Sequence, residues 1–78
     1  PESLATLAAV QKVVARSRHL RVGIDLDDTP ITADQVGQAI LLLVQRAQAS
    51  GVDADQATRD ALRRLVEQIR AIETGQDS

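Results

Sequence analysis

Six consecutive aliphatic residues, Ala39-Ile40-Leu41-Leu42-Leu43-Val44, set the main constraint on what this chain can fold into. Capping signals flank the segment that holds them, and on a helix successive side chains step by roughly 100° around the axis, so the run turns apolar surface in every direction. Such a helix must be covered all round. Two neighbouring helices cover only part of a central one, and the chain has just 78 residues. A partner surface is therefore implied. Between Asp34 and the run, Gln35-Val36-Gly37-Gln38 carry no charge at all.

One domain is the most that this length supports, near the size at which a single core stops supplying much surplus stability. Hydrophobic residues make up 44% of the chain, yet Phe, Trp, Tyr, Met and Cys are all absent, so the core is built from Leu, Val, Ile and Ala. Burying one large aliphatic side chain stabilises by roughly 1.5–3 kcal/mol, and ordering each residue costs roughly 1–2 kcal/mol of backbone entropy. The monomer balance is thin. Without aromatic faces the chain also lacks the platforms on which single-stranded bases stack. Its net charge of -2, with the basic residues spread over all segments, argues against a phosphate-backbone binder. No nucleic-acid partner is expected. The longest apolar run falls far short of the roughly 20 residues a bilayer span needs, and no secretory leader is visible at Pro1-Glu2-Ser3. The expectation is a cytoplasmic chain with no membrane partner, and the abrupt start at Pro1 leaves open a longer parent protein.

Helix signals divide the chain into three. Ser3 is placed to cap a first helix, running to about His19, whose Leu4, Leu7, Val10, Val13 and Val14 recur at spacings of three and four. Gly23, Pro30 and the acids between them then mark a loop. Thr32 and Gln35 have the spacing of a capping box, which predicts a second helix from about Ala33 to Ser50 closed by Gly51 in the left-handed conformation. Asp53 and Gln56 repeat that spacing, with Val52 and Ala57 positioned as a hydrophobic staple. So short a turn folds the second and third helices into an antiparallel hairpin. The third helix is expected to bury Ala57, Ala61, Leu65, Ile69 and Ile72, with Leu62 and Val66 widening the stripe and the arginines mostly outside. Residues 1–73 then form one helical domain and 74–78 a disordered tail.

Two motifs bear on chemistry. Ile24-Asp25-Leu26-Asp27-Asp28-Thr29 resembles the first motif of haloacid-dehalogenase-type phosphotransferases. That resemblance implies Asp25 as nucleophile, a second Asp moving a proton, and Mg²⁺ bridging carboxylate and phosphate. The family's strand and its downstream Lys have no counterpart, since no Lys follows Lys12. A solvated acidic loop is the simpler reading.

The second resemblance covers most of the chain. Leu7-Ala8-Ala9-Val10-Gln11-Lys12, Gly23-Ile24-Asp25, Asp34-Gln35-Val36-Gly37-Gln38-Ala39-Ile40-Leu41, Gly51-Val52-Asp53-Ala54-Asp55-Gln56-Ala57, Arg64-Leu65 and Ile69-Arg70-Ala71-Ile72-Glu73 are similar, in order and spacing, to the MazG family of nucleoside triphosphate pyrophosphohydrolases. The resemblance implies an all-α, three-helix bundle completed by dimerisation. It also implies Mg²⁺ held by acidic residues of two helices, and attack between the α- and β-phosphates to release a monophosphate and pyrophosphate.

Departures from that pattern fall on the chemistry. The family's acidic helix before the central one is missing between Gly23 and Thr32, and its next pair of acids falls on Gln35 and Gln38. Neutral amides are poor Mg²⁺ ligands beside carboxylates. Arg64 and Lys12 are left as substrate-binding candidates for phosphates, and each also reads as an ordinary solvated helix charge. His19, the only histidine, suits a helix C-terminus and has no second ligand near it in sequence. The leading expectation is a non-catalytic scaffold and dimerisation domain of a MazG-type protein, binding nucleotide weakly if at all, with no cofactor of its own; Mg²⁺ belongs to an active parent domain. Its partner is a second copy or the remainder of that protein. The alternatives are residual Mg²⁺-dependent pyrophosphohydrolase activity through Asp25, Asp27, Asp28 or Asp34, the phosphatase with Asp25 as nucleophile, and a generic helical interaction module.

Overall fold

Three helices, α1 (Glu2–Ser17), α2 (Ala33–Ala49) and α3 (Ala54–Gln76), carry the chain in the computed structural model, which describes residues 2–20 and 26–76. No strand occurs among the described residues.

The first helix opens at Glu2, one residue before Ser3, and stops at Ser17 rather than His19. The buried Ser17 hydroxyl donates to the Val14 carbonyl at 2.7 Å, and the Arg18, His19 and Leu20 amides close the last turn on Val14, Arg16 and Ser17. A side-chain donor on a last-turn carbonyl competes with continued helix. His19 lies in the turn that follows.

Both ends of α2 are fixed locally. Thr32 accepts the Gln35 amide on its hydroxyl at 3.2 Å, while the Gln35 side-chain oxygen accepts the Thr32 amide at 3.0 Å, which completes the capping box. At the other end Gly51 takes φ 72°; its amide donates to Gln48 and the Val52 amide to Ala47. Those two bonds make a Schellman motif and satisfy carbonyls the helix end would leave open. The turn is followed at once by Asp53, whose carboxylate accepts the Gln56 amide at 3.1 Å and caps α3. The reciprocal half of this second box does not form, because the Gln56 amide group donates forward to Asp60 at 3.0 Å. Val52 and Ala57 both stay exposed, so they form no covered staple.

The core lies between α1 and α3. Ile69 is 1% exposed, and Val10, Val13, Val14, Leu62, Leu65, Val66 and Ile72 are half-buried around it. Ala57 and Ala61 are exposed, contrary to the expected stripe. The helix has rolled so that Leu62 and Val66 face inward, since covering a leucine or valine removes more apolar area from water than covering an alanine. Ala5 and Thr6 share a groove with Arg59 and Leu62 near the start of each helix, and Arg16 meets Glu73 near the end of each. The two helices therefore run in the same direction. Past Glu73, where the sequence ends its helical pattern, α3 continues to Gln76.

The central helix is the outlier. It packs less against α3 than α1 does, and not one of its residues is buried. Leu41, Leu42, Leu43 and Val44 are 56, 54, 63 and 44% exposed. The accessible surface is 6371 Å² for 8.4 kDa, where a closed monomer of that mass exposes about 4,600 Å². The radius of gyration, 14.5 Å, likewise exceeds the roughly 11.5 Å of a closed domain of this length. The intramolecular fold leaves its most apolar helix in water.

Candidate functional site

Among the described residues, three open grooves stand out on the surface. The first runs between α1 and α3, with Ala5, Ala9, Leu62 and Val66 as its floor and Arg59, Arg63, Glu67 and Arg70 as its rim. Arg59 pairs with Asp55 at 2.7 Å and Arg63 with Asp60 at 3.1 Å. These are bonds along α3 that spend part of the rim's positive charge within the helix. The second groove lies where α1, α2 and the start of α3 approach one another. Leu7, Ile40, Val44 and Val52 line it together with Asp53, Asp55 and Thr58. The third is shallow, between the loop and the start of α2, and is lined by Asp27, Thr29, Pro30, Ile31, Gln35 and Ala39.

The two candidate phosphate contacts line none of these grooves. Lys12 is exposed on α1 and Arg64 is exposed on α3. Arg64 precedes the buried Ile69 by five positions, which sets it about 140° around the helix, away from α1. Nothing brings the two together. The arginines that do share a concave surface are Arg59, Arg63 and Arg70, spaced by four and seven along one side of α3. Sequence reading put them outside with Arg64, because their common groove depends on how α1 lies across α3.

The acidic loop is committed locally. Asp25 lies outside the described residues. Asp27 Oδ1 accepts both the Thr29 hydroxyl, at 2.6 Å, and the Thr29 amide, at 3.0 Å, and these bonds hold its pKa below the ordinary aspartate value. The side-chain bond contributes most, since each bond favours the charged carboxylate. Asp28 accepts from Arg18 at 2.6 Å, with both side chains well exposed. Asp34 stands in the first turn of α2, where the helix dipole favours a negative charge. Gln35, at the position where the MazG resemblance calls for a metal-binding acid, gives its side-chain oxygen to the cap of its own helix. Among the described residues, no three His, Cys, Asp or Glu side chains come together. None of the described helices is long and apolar enough to cross a membrane.

Comparison of the chain with protein-family models, with curated proteins and with solved structures finds no match.

Proposed function

We propose that this chain is a non-catalytic helical scaffold domain of a MazG-type nucleoside triphosphate pyrophosphohydrolase, which keeps the helical frame and has given up the acids that hold Mg²⁺. The observation that carries the proposal is α2, an apolar helix with no buried residue. A helix with Leu41, Leu42 and Leu43 all more than half exposed is suited to being covered by another chain or domain. At the positions where the resemblance asks for carboxylates stand Gln35 and Gln38, and the cap bond of Gln35 supports a structural role there. The domain works by holding α2 against a second copy or against the rest of its parent protein, fixing the geometry of whichever part performs the chemistry in the cytoplasm. Arg64 and Lys12, both solvated, are left to weak contact with nucleotide phosphates.

A phosphorus NMR time course with Mg²⁺ and mixed nucleoside triphosphates tests the non-catalytic part. Unchanged spectra are expected. Monophosphate with pyrophosphate would overturn the reading in favour of surviving pyrophosphohydrolase activity, which Asp27→Asn with Asp28→Asn should then abolish if the loop supplies the metal ligands. Inorganic phosphate would instead point to Asp25 as a nucleophile.

A further inference from the structure

We infer that the groove between α1 and α3 seats an acidic amphipathic helix of a protein partner, lying antiparallel to both helices with carboxylates set against Arg59, Arg63 and Arg70. This surface does not involve α2, so the inference stands or falls apart from the scaffold reading. Shape and charge carry it.

Shape selects a helix. The offset of 57 residues that joins Arg16 to Glu73 also separates Ala5 from Leu62 and Ala9 from Val66, so the groove floor is two layers one helical turn apart. In each layer an alanine of α1 stands opposite a larger residue of α3. The alanines leave a notch in which another backbone can come close, over an apolar floor that rewards cover. The three rim arginines stand on one side of α3, with the second and third roughly 6 and 16.5 Å along the axis from the first. A partner helix has the same rise, and its positions i, i+4 and i+11 fall within about 40° of one line. An extended strand spans those distances with residues i, i+2 and i+5, and i+5 points to its opposite face. Only the helix meets all three arginines from one side.

Charge selects acids. Arg70 forms no ion pair among the described residues. Arg59 and Arg63 each use Nη2 on a carboxylate of their own helix, Asp55 and Asp60, neither of which lines the groove. A guanidinium has five N–H donors, so each keeps donors for a second carboxylate. Glu67, the one acid on the rim, requires a neutral or basic residue opposite it and so sets the register of the partner. Because α1 and α3 run the same way, an antiparallel partner opposes both of their dipoles. A flat anionic bilayer fits less well, since it does not reach a floor set between two helices and meets a chain of net charge -2.

The test uses the full chain and a capped synthetic helix of about four turns, with leucines on one stripe and glutamates at the three matching positions. Fluorescence anisotropy at low and high salt measures binding, and amide NMR of the chain locates it. Saturable binding that weakens with salt is expected, with shifts at Ala5, Ala9, Leu62 and Val66 and none along α2. Arg63→Gln combined with Arg70→Gln should weaken binding about tenfold, the reach of two surface ion pairs. Arg63→Glu with Arg70→Glu should reverse the preference, so that the same peptide with lysines for glutamates binds more tightly. Ala9→Gln fills the notch and should also weaken binding about tenfold, while circular dichroism shows the helices kept. Equal affinity for the glutamate and lysine peptides would reduce the contact to apolar adhesion and overturn the inference. So would shifts confined to α2, or no saturable binding of the glutamate peptide. Vesicles of anionic phospholipid serve as the rival probe: if they bind the chain through Arg63 and Arg70 and the peptide does not, the groove faces lipid and the protein partner is excluded.

Discussion

Arg16 near the end of α1 donates to Glu73 near the end of α3 at 2.5 Å, joining positions 57 apart in sequence. Glu73 stands in the last turn of α3, a helix with no basic residue in that turn, where its charge alone is unfavourable to the dipole. Arg16 supplies the missing cation from the neighbouring helix and joins the C-terminal ends of the parallel pair. The side chains are 53 and 40% exposed, so the pair is screened. A double-mutant cycle with Arg16→Gln and Glu73→Gln should give a coupling of about 0.2–1 kcal/mol that shrinks in high salt. Thermal melts at two ionic strengths measure it, and a salt-independent coupling would contradict this account.

Gly51 supports a second prediction. Its φ of 72° lies where a side chain is strained, yet an added Cβ would meet no atom within 4 Å. The cost of Gly51→Ala is therefore conformational, on the order of 1–2 kcal/mol, with Gly51→Asn costing less because asparagine tolerates that conformation. Urea midpoints of the two variants should fall in that order.

The bounds of α2 were legible because their signals are local: Thr32, Gln35 and Gly51 each act within a few residues of themselves. Asp53 with Gln56 was half legible, since Asp60 one turn ahead competes for the same amide. Which side of α3 faces inward was not readable. Ala57 and Ala61 share a helical period with Leu65, and only the long-range seating of α1 decides between that stripe and the one through Leu62 and Val66. The same seating gathers Arg59, Arg63 and Arg70 on one groove and leaves Arg64 and Lys12 apart. For α2 the run Ala39–Val44 foretold incomplete cover by two neighbours, but not that every residue of the helix would stay unburied, because that too depends on how α1 and α3 seat against each other.

Asp27 gives a pH prediction. Its folded pKa is lowered, first by the Thr29 hydroxyl and then by the Thr29 amide, so the charged carboxylate favours the folded loop. That contribution is present above the unfolded aspartate value and is lost as pH falls through the lowered folded value, on the acid side of about pH 4. Carbon NMR titration of the Asp27 carboxyl should show a depressed midpoint. In Thr29→Val, which removes the hydroxyl and keeps the amide, the midpoint should move part of the way back up. A midpoint unmoved by that change would assign the depression to another group.

Ile69 and Leu43 stand at opposite ends of burial among the described large hydrophobic residues. Ile69 is 1% exposed between α1 and α3, whereas Leu43 on α2 is 63% exposed. Truncating a buried isoleucine removes its transfer energy and leaves a cavity, together about 2–5 kcal/mol. In so thin a core Ile69→Ala should unfold most of the chain at 25 °C, with loss of helical circular dichroism at every protein concentration. Leu43→Ala removes little packing within one copy and replaces leucine by a residue of slightly better helix propensity, so at high dilution its melt should match the parent chain. At high concentration the parent chain should melt at a higher temperature than Leu43→Ala, because association adds stability by mass action. Melting temperatures that stay equal at all concentrations would mean that Leu43 remains in water in the working state of the protein.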